Sequence, residues 1–480
     1  MPGRLQIHVN PSPGAGPEPR KPGAGRGAMR LLLMADFSGR PAAQRPPLAG
    51  RPTHRVDADN LADCMQALDV QLQHGRSLLR FGTLDGFHPD SLLGQLPALD
   101  HALAPAGVPV PASASAAPVP ALSASTRLAM PDAGGAHLLA QLLAGAAPAA
   151  PAPPGLEAGL DPPVRPIVAP QLRPDTAAAT AASQASAEAA DTSRLRAVLH
   201  APAFQALEAN WRGVHWLVSQ LALGDGQLQL VLFDLTQDEL LDDLVAAGGR
   251  VAQTQVFQAL VQRGRDQPGA AGWSALVGLW DFGGSVQHIG LLAALGQLAQ
   301  QAGAPLLAGA DLALAGDDSP ALAGWHALRR SEVAPWIGLA TPGFLLRQPY
   351  GPRSDPVQAF GFQEFDGGVP QPAQCLWGCA ALAPALLLAR AYSDNGWDFK
   401  PGDDPQIDGL PAVTWRQDGE AHLLPVARAA LDEAGAQRLQ QAGLMPLWAH
   451  RQQPSLRLAC WQSVAWGGGA LAGLGAAAGA

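Results

Sequence analysis

The chain has 480 residues, 48% of them hydrophobic, enough to fill two or three cores, and a formal net charge of −9. Only Lys21 and Lys400 are lysines and the arginines are dispersed, which excludes the basic face needed for nucleic acid or an anionic membrane. Four cysteines (Cys64, Cys375, Cys379, Cys460) in so long a chain exclude a disulfide framework; with no secretory leader and no apolar run near the roughly 20 residues of a membrane-spanning helix, we expect a cytoplasmic protein without membrane insertion.

Gly and Pro, 54 and 45 in number, concentrate with Ala in the first fifty residues, in the middle and at the C-terminus, which read as arms and linkers. Residues 4–9 alternate polar and apolar, with Leu5, Ile7 and Val9 on one face, and are cut off by a Pro/Gly segment: a detachable strand on a flexible arm, suited to pairing with a sheet edge. Residues 31–36 predict a buried strand. Asp59 or Asn60 caps a helix with Leu61, Met65, Leu68 and Leu72 on one face, and Phe81 and Phe87 bracket a turn. Leu92, Leu93, Leu96 and Leu99 close a compact module over residues 1–104. Residues 105–135, rich in Ala, Pro and Ser, predict a linker. Residues 136–190 hold the short amphipathic run 137–143 and, over 175–190, an Ala-rich stretch that reads either as linker or as the start of the next helix.

A larger body is expected over residues 191–464. Asp191-Thr192-Ser193 reads as a helix cap, followed by the stripe Phe204, Leu207, Trp211, Val214 and Val218. Strands at 228–235, 275–280 and 306–310 then alternate with helices at 251–261 and 291–299. That order predicts an α/β fold, a mostly parallel sheet flanked by helices. Beyond residues 336–339 the pattern breaks into shorter runs, and residues 465–480 read as a Gly/Ala tail.

Asp234, Asp281 and Asp311 stand at the ends of predicted strands, where α/β enzymes place catalytic or metal-binding carboxylates, although helix caps belong there too. They support an alternative reading as a metal-dependent hydrolase or phosphotransferase, whose carboxylates must converge on an open pocket. Asp281-Phe282-Gly283 spells the kinase metal-binding tripeptide without the Gly-rich loop, strand lysine or catalytic loop a kinase needs, and a P-loop is excluded. Cys375 and Cys379, four apart on an expected helix, lack a second ligand pair for zinc and read as small buried residues, and Trp211 with His215 reads as core. We therefore assign no catalytic, cofactor-binding or metal-ligating residue.

Residues 31–40, which include Asp36-Phe37-Ser38-Gly39-Arg40, with Val56-Asp57-Ala58-Asp59-Asn60 and residues 81–90, resemble the small subunit of the type VI secretion contractile sheath. Residues 203–213, ending Asn210-Trp211-Arg212-Gly213, then Trp280-Asp281-Phe282, Arg347-Gln348-Pro349-Tyr350-Gly351 and Leu376-Trp377-Gly378 resemble its large subunit, as do Trp336-Ile337-Gly338-Leu339 and Gly443-Leu444-Met445-Pro446-Leu447. The resemblance implies one chain carrying both halves of a sheath protomer, without enzymatic activity. It implies strands exchanged between protomers, and contacts with other sheath subunits, an inner-tube protein and a baseplate. The 137–143 segment stands where the family places a helix read by the sheath-recycling unfoldase. The small-subunit part is shorter than usual and the chain ends soon after Gln462-Ser463-Val464, so a non-polymerising adaptor or cap is the alternative within the family.

Overall fold

The computed structural model describes residues 27–96, 176–224, 226–263, 272–316, 322–450 and 453–474. Leu5, Ile7 and Val9, the 105–135 linker and the 137–143 segment lie outside them. One compact unit comprises residues 1–97 and 181–480, and a second residues 98–180, of which only the first turn of helix Thr176–Leu199 is described.

The first unit is built on a nine-stranded sheet. Its central strands are β1 (Met29–Ala35), β5 (Leu228–Asp234), β6 (Ala275–Phe282), β7 (Leu306–Ala310), β8 (Ile337–Thr341) and β14 (Leu444–Ala449), and every pairing among them is parallel. Antiparallel strands close the two sides: β2 (His54–Val56) on β5, and β15 (Leu456–Leu458) on β14 with β11 (Gln406–Ile407) outermost. The order is β11-β15-β14-β8-β7-β6-β1-β5-β2. Both edge strands are short, two and three residues, which limits unguarded pairing. Three hairpin-like pairs stand apart: β3 (Gln71–His74) with β4 (Ser77–Arg80), β9 (Phe344–Leu345) with β10 (Trp377–Gly378), and β12 (Thr414–Gln417) with β13 (Glu420–Leu423).

The expected parallel α/β architecture is present, with one difference of organisation. Residues 1–104 were expected to close a module of their own; instead their strand β1 lies inside the sheet of the larger body, in register with all seven residues of β5 on one side and with β6 on the other. The run Met-Arg-Leu-Leu-Leu-Met-Ala explains this, because a strand covered on both faces is apolar throughout. Leu31, Leu33 and Ala35 face one core, while Leu32 and Met34 face the other.

The first core is covered by helices α4 (Pro202–Gln220) and α8 (Leu382–Asn395), and the second by α5 (Gln237–Ala246), α6 (Val286–Ala302) and α7 (Ala323–Arg329). The other helices are α1 (Leu61–Ala67), α2 (Pro89–Gln95), α3 (Thr176–Leu199) and α9 (Glu433–Gln441).

Local readings differ at five places. Residues 465–474 of the expected tail pack on the body, with Leu471 buried and the Ala472 amide donating to the Pro335 carbonyl at 2.8 Å. Helix α3 runs through Asp191-Thr192-Ser193, and Thr192 Oγ1 donates to the Glu188 carbonyl within it instead of capping. Leu72 falls in β3, outside α1. The expected helix at 251–261 breaks into a 3-10 turn, a short α turn and a π turn over Gln258–Gln262. Cys375 and Cys379 flank β10 and share no helix, since α8 starts only at Leu382. Burial pushes the Cys375 thiol up to about 12 and the Cys64 thiol up to about 11, which keeps both protonated and inert.

Full burial of Met29, Leu31, Leu32, Leu33 and Met34, at about 2 kcal/mol each, contributes on the order of 10 kcal/mol, comparable with the entire net stability of a domain. Residues 176–480 expressed alone are therefore expected to be insoluble or unfolded. Co-expression with residues 1–96 should return a soluble, co-purifying pair, checked by affinity pulldown and circular dichroism; a folded 176–480 fragment on its own would contradict this placement of β1.

Candidate functional site

Helix α4 starts with Pro202 at its first position and buries Phe204, Leu207, Trp211, Val214 and Val218. Glu208 lies in this apolar stripe and is fully buried, so its charge requires compensation. Arg212 Nε, one turn on, donates to Glu208 Oε1 at 2.7 Å, and Arg347 Nε donates to the same atom at 2.8 Å. Arg347 also reaches Glu364, Nη1 to Oε2 at 2.7 Å and Nη2 to Oε1 at 3.2 Å, the two-pronged geometry that guanidinium favours.

Tyr350 completes the group. Its amide donates to Glu364 Oε2 at 2.8 Å, its hydroxyl accepts from Arg212 Nη2 at 2.8 Å and donates to Glu208 at 3.4 Å, and its ring lies 4.2 Å beneath the Arg347 guanidinium. His200 Nε2 stands 3.6 Å from Glu364, beyond hydrogen-bond reach. Two carboxylates face two guanidiniums, so the network is neutral as well as saturated. Burial opposes ionisation of Glu364, but Arg347 and the Tyr350 amide outweigh it and hold the carboxyl at about 2. Burial likewise opposes the charge on Arg347, and Glu208 and Glu364 outweigh it.

A second cluster sits where β1 and β5 end. Asp234 Oδ1 accepts from the amides of Phe37 at 2.8 Å and Ser38 at 3.0 Å and from Arg45 Nη1 at 3.1 Å. Arg45 also pairs with Asp36 at 2.5 Å. Arg51 grips Glu239, Nη2 to Oε1 at 2.7 Å and Nη1 to Oε2 at 3.0 Å, and donates to the Asp234 carbonyl at 2.6 Å. Glu239 closes the capping box of α5 with Thr236. Trp211 Nε1 donates to the Phe37 carbonyl at 2.8 Å and Asn210 Nδ2 to the Asp36 carbonyl at 2.9 Å. At Gly39, φ is +65° and a Cβ would stand 2.3 Å from the Gln71 carbonyl oxygen, so the turn after β1 accepts only glycine. Gly213 lets α4 approach α8, since a Cβ there would lie 2.7 Å from Leu382.

Thus Asp36, Phe37, Gly39 and Trp211 come together against the middle of α4, with Gly213 on the same helix, and Arg347 and Tyr350 gather at Glu208. Pro349 offers its carbonyl to the Ser354 hydroxyl, and the Gly351 amide donates to the Asp355 carbonyl at 3.0 Å. Trp377 and Gly378 form β10, pairing with Leu345 and Phe344 of β9. Phe282 is buried against His288 at the end of β6.

The convergence of carboxylates that the enzymatic alternative requires is not found. Asp234 is committed to Arg45 and two amides, Asp311 caps the turn Leu312–Ala315 through the Ala313 amide, and Asp281 faces the Cys379 thiol at 3.7 Å and Arg428 at 4.0 Å. Among the described residues no three His, Cys, Asp or Glu side chains are grouped to hold a metal ion, so the three aspartates do not converge.

Residues 28–105 match the family model of type VI secretion system VipA, and residues 185–321 and 314–465 match that of the VipB (EvpB) tail sheath N-terminal domain. The chain belongs to the type VI secretion tail sheath family. It is 29% identical over 277 residues to the type VI secretion system sheath protein TssC1 of Pseudomonas aeruginosa, covering 53% of this chain and 55% of that protein. The chain thus spans about half the length of the curated relative it matches.

The second cluster straddles the two matched regions: Asp36, Arg45 and Arg51 belong to the VipA-like part, Asp234 and Glu239 to the VipB-like part. The Glu208 network lies wholly within the VipB-like part. Sequence reasoning overlooked Glu208, Glu364, Arg45 and Arg51. The one available signal was a carboxylate inside an apolar stripe with an arginine four residues on; nothing local marks Glu364.

Arg347→Met leaves two buried carboxylates facing Arg212 alone and is expected to cost about 3–5 kcal/mol in urea unfolding, whereas Tyr350→Phe should cost about 1 kcal/mol. Glu364 has a depressed folded-state value against about 4.3 unfolded. Its contribution is therefore complete above pH ~4.3 and is lost as pH falls towards 2. Glu364→Gln should lower stability at pH 7 and flatten the decline between pH 5 and 3, as read from urea midpoints.

Proposed function

We propose that this protein is a structural, non-enzymatic component of a type VI secretion contractile sheath, acting in the cytoplasm, in which one polypeptide supplies parts matching both VipA and VipB. The observation that carries this reading is the strand β1, which belongs to the VipA-like segment and pairs on both sides with strands of the VipB-like part, β5 and β6.

Its work is mechanical. Such a body must transmit load without shearing, and parallel strands tied by backbone hydrogen bonds of about 1 kcal/mol each suit that task, as do two saturated ion networks. The N-terminal arm, through Leu5, Ile7 and Val9, would add a strand to a neighbouring subunit. Asp36, Phe37, Gly39, Trp211, Gly213, Arg347 and Tyr350 would act by fixing the body's shape. The partners on this reading are other sheath subunits, an inner-tube protein and the baseplate, with the unfoldase engaging the 137–143 segment.

Negative-stain electron microscopy and light scattering on the purified chain, alone and mixed with the inner-tube protein of the same system, test this. Tubes or tube-bound subunits are expected; persistent monomers that bind neither tube nor sheath would overturn it, and monomers that bind only a sheath built by other subunits would make it an adaptor.

A further inference from the structure

Trp466 is half exposed, unusual for a tryptophan in a folded chain, and its ring is held rigidly. Its amide donates to the Arg329 carbonyl at 2.8 Å, the buried Arg329 guanidinium lies 4.9 Å from the ring centre, and His326 meets the ring edge-on at 5.7 Å. The exposed Arg330 guanidinium stacks on the ring at 3.8 Å, with Nη1 donating to the His326 carbonyl at 3.3 Å. Among the described residues Arg330 forms no ion pair. A fixed Trp and an exposed Arg without a carboxylate partner among the described residues are the composition of an interface anchor for a carboxylate-bearing surface.

The same helical layer carries the complement. On α5, Asp238 and Asp242 are exposed one turn apart, and Val245, 51% exposed, continues the stripe. Neither aspartate forms an ion pair among the described residues, and like charges at this spacing repel until a cation joins them. Helices α5 and α7 both pack on α6. Since α5 follows β5 and α7 leads into β8, with β1, β6 and β7 between them, they lie on opposite flanks of the layer. The two patches cannot meet within one copy, but adjacent copies can bring them together.

We infer that the Trp466–Arg330 patch of one copy seats the Asp238–Asp242–Val245 stripe of the next, a head-to-tail contact between copies of this chain. The contact is heterologous, so it repeats into an open array instead of closing a dimer. This inference rests on the sheath reading and names residues that would hold neighbouring subunits.

The test uses the full chain at low ionic strength, with assembly followed by light scattering and sedimentation velocity against the 49.5 kDa monomer. Arg330→Glu, Trp466→Ala and the pair Asp238→Arg with Asp242→Arg should each raise the concentration needed for assembly roughly tenfold, with unchanged circular dichroism. Raised salt should weaken wild-type assembly in the same direction. The decisive variant combines Arg330→Glu with the pair Asp238→Arg and Asp242→Arg, which reverses the charges on both sides of the contact and should recover most of the loss. Single variants that assemble like wild type, or a combined variant no better than its parents, would overturn this contact while leaving the sheath reading intact. A wild-type chain that stays monomeric at every concentration and also ignores tube and sheath would overturn both.

Discussion

The pairing of β1 with β5 and β6 is the constraint on which the rest of the molecule depends. A strand at an edge could be lost with local fraying, but β1 has six strands on its β6 side and two, β5 and β2, on its other flank, so its loss divides the sheet. Both cores are affected at once, because alternate β1 side chains enter each of them. The turn that follows β1 is then anchored by Asp234, Arg45, Trp211 and Asn210, which fix where the VipA-like segment leaves the sheet. Cooperative folding of the two family parts follows from this arrangement, whether or not the connecting residues contribute.

The two ion networks solve different problems. Around Glu208, burial is nearly complete, and replacing the whole network by apolar residues could leave stability unchanged, whereas removing a single member leaves an uncompensated charge. Its value therefore lies in geometry: it fixes the segment carrying Arg347, Tyr350 and Glu364 against α4 in one arrangement. The Asp234 cluster instead joins two segments that are far apart in sequence, and Arg51 ties a loop of the VipA-like part to the start of α5 through Glu239. Helix α5 is thus positioned from outside the VipB-like part, which matters if its exposed acidic stripe meets a neighbour.

Much of the fold was readable because the central strands are short apolar runs separated by helical periodicity, as at residues 228–235 and 306–310. The family motifs carried most of the functional reading, and the matches at 28–105 and 185–465 cover them. What stayed hidden was the relation between segments distant in sequence. A run such as residues 31–36 announces a buried strand but carries no address, so its insertion between β5 and β6 could not be read from it. Asp234 supported an alternative catalytic reading beside the cap reading because a carboxylate at a strand end has the same local signature whether it meets a metal or an arginine; only the position of Arg45, 189 residues away, decides between them. The Asp191 to Ser193 cap failed because the Ala-rich stretch before it is itself helical, so α3 begins at Thr176 and runs through a locally favourable start.

The most direct measurement is hydrogen exchange resolved along the native chain. If β1 is an interior strand of one cooperative sheet, the amides of residues 30–35 should exchange only through global unfolding, with protection equal to that of 229–234 and 276–278. Exchange in residues 30–35 that is markedly faster than in β5 and β6 would mean that the VipA-like strand detaches while the rest stays folded, and would contradict the account.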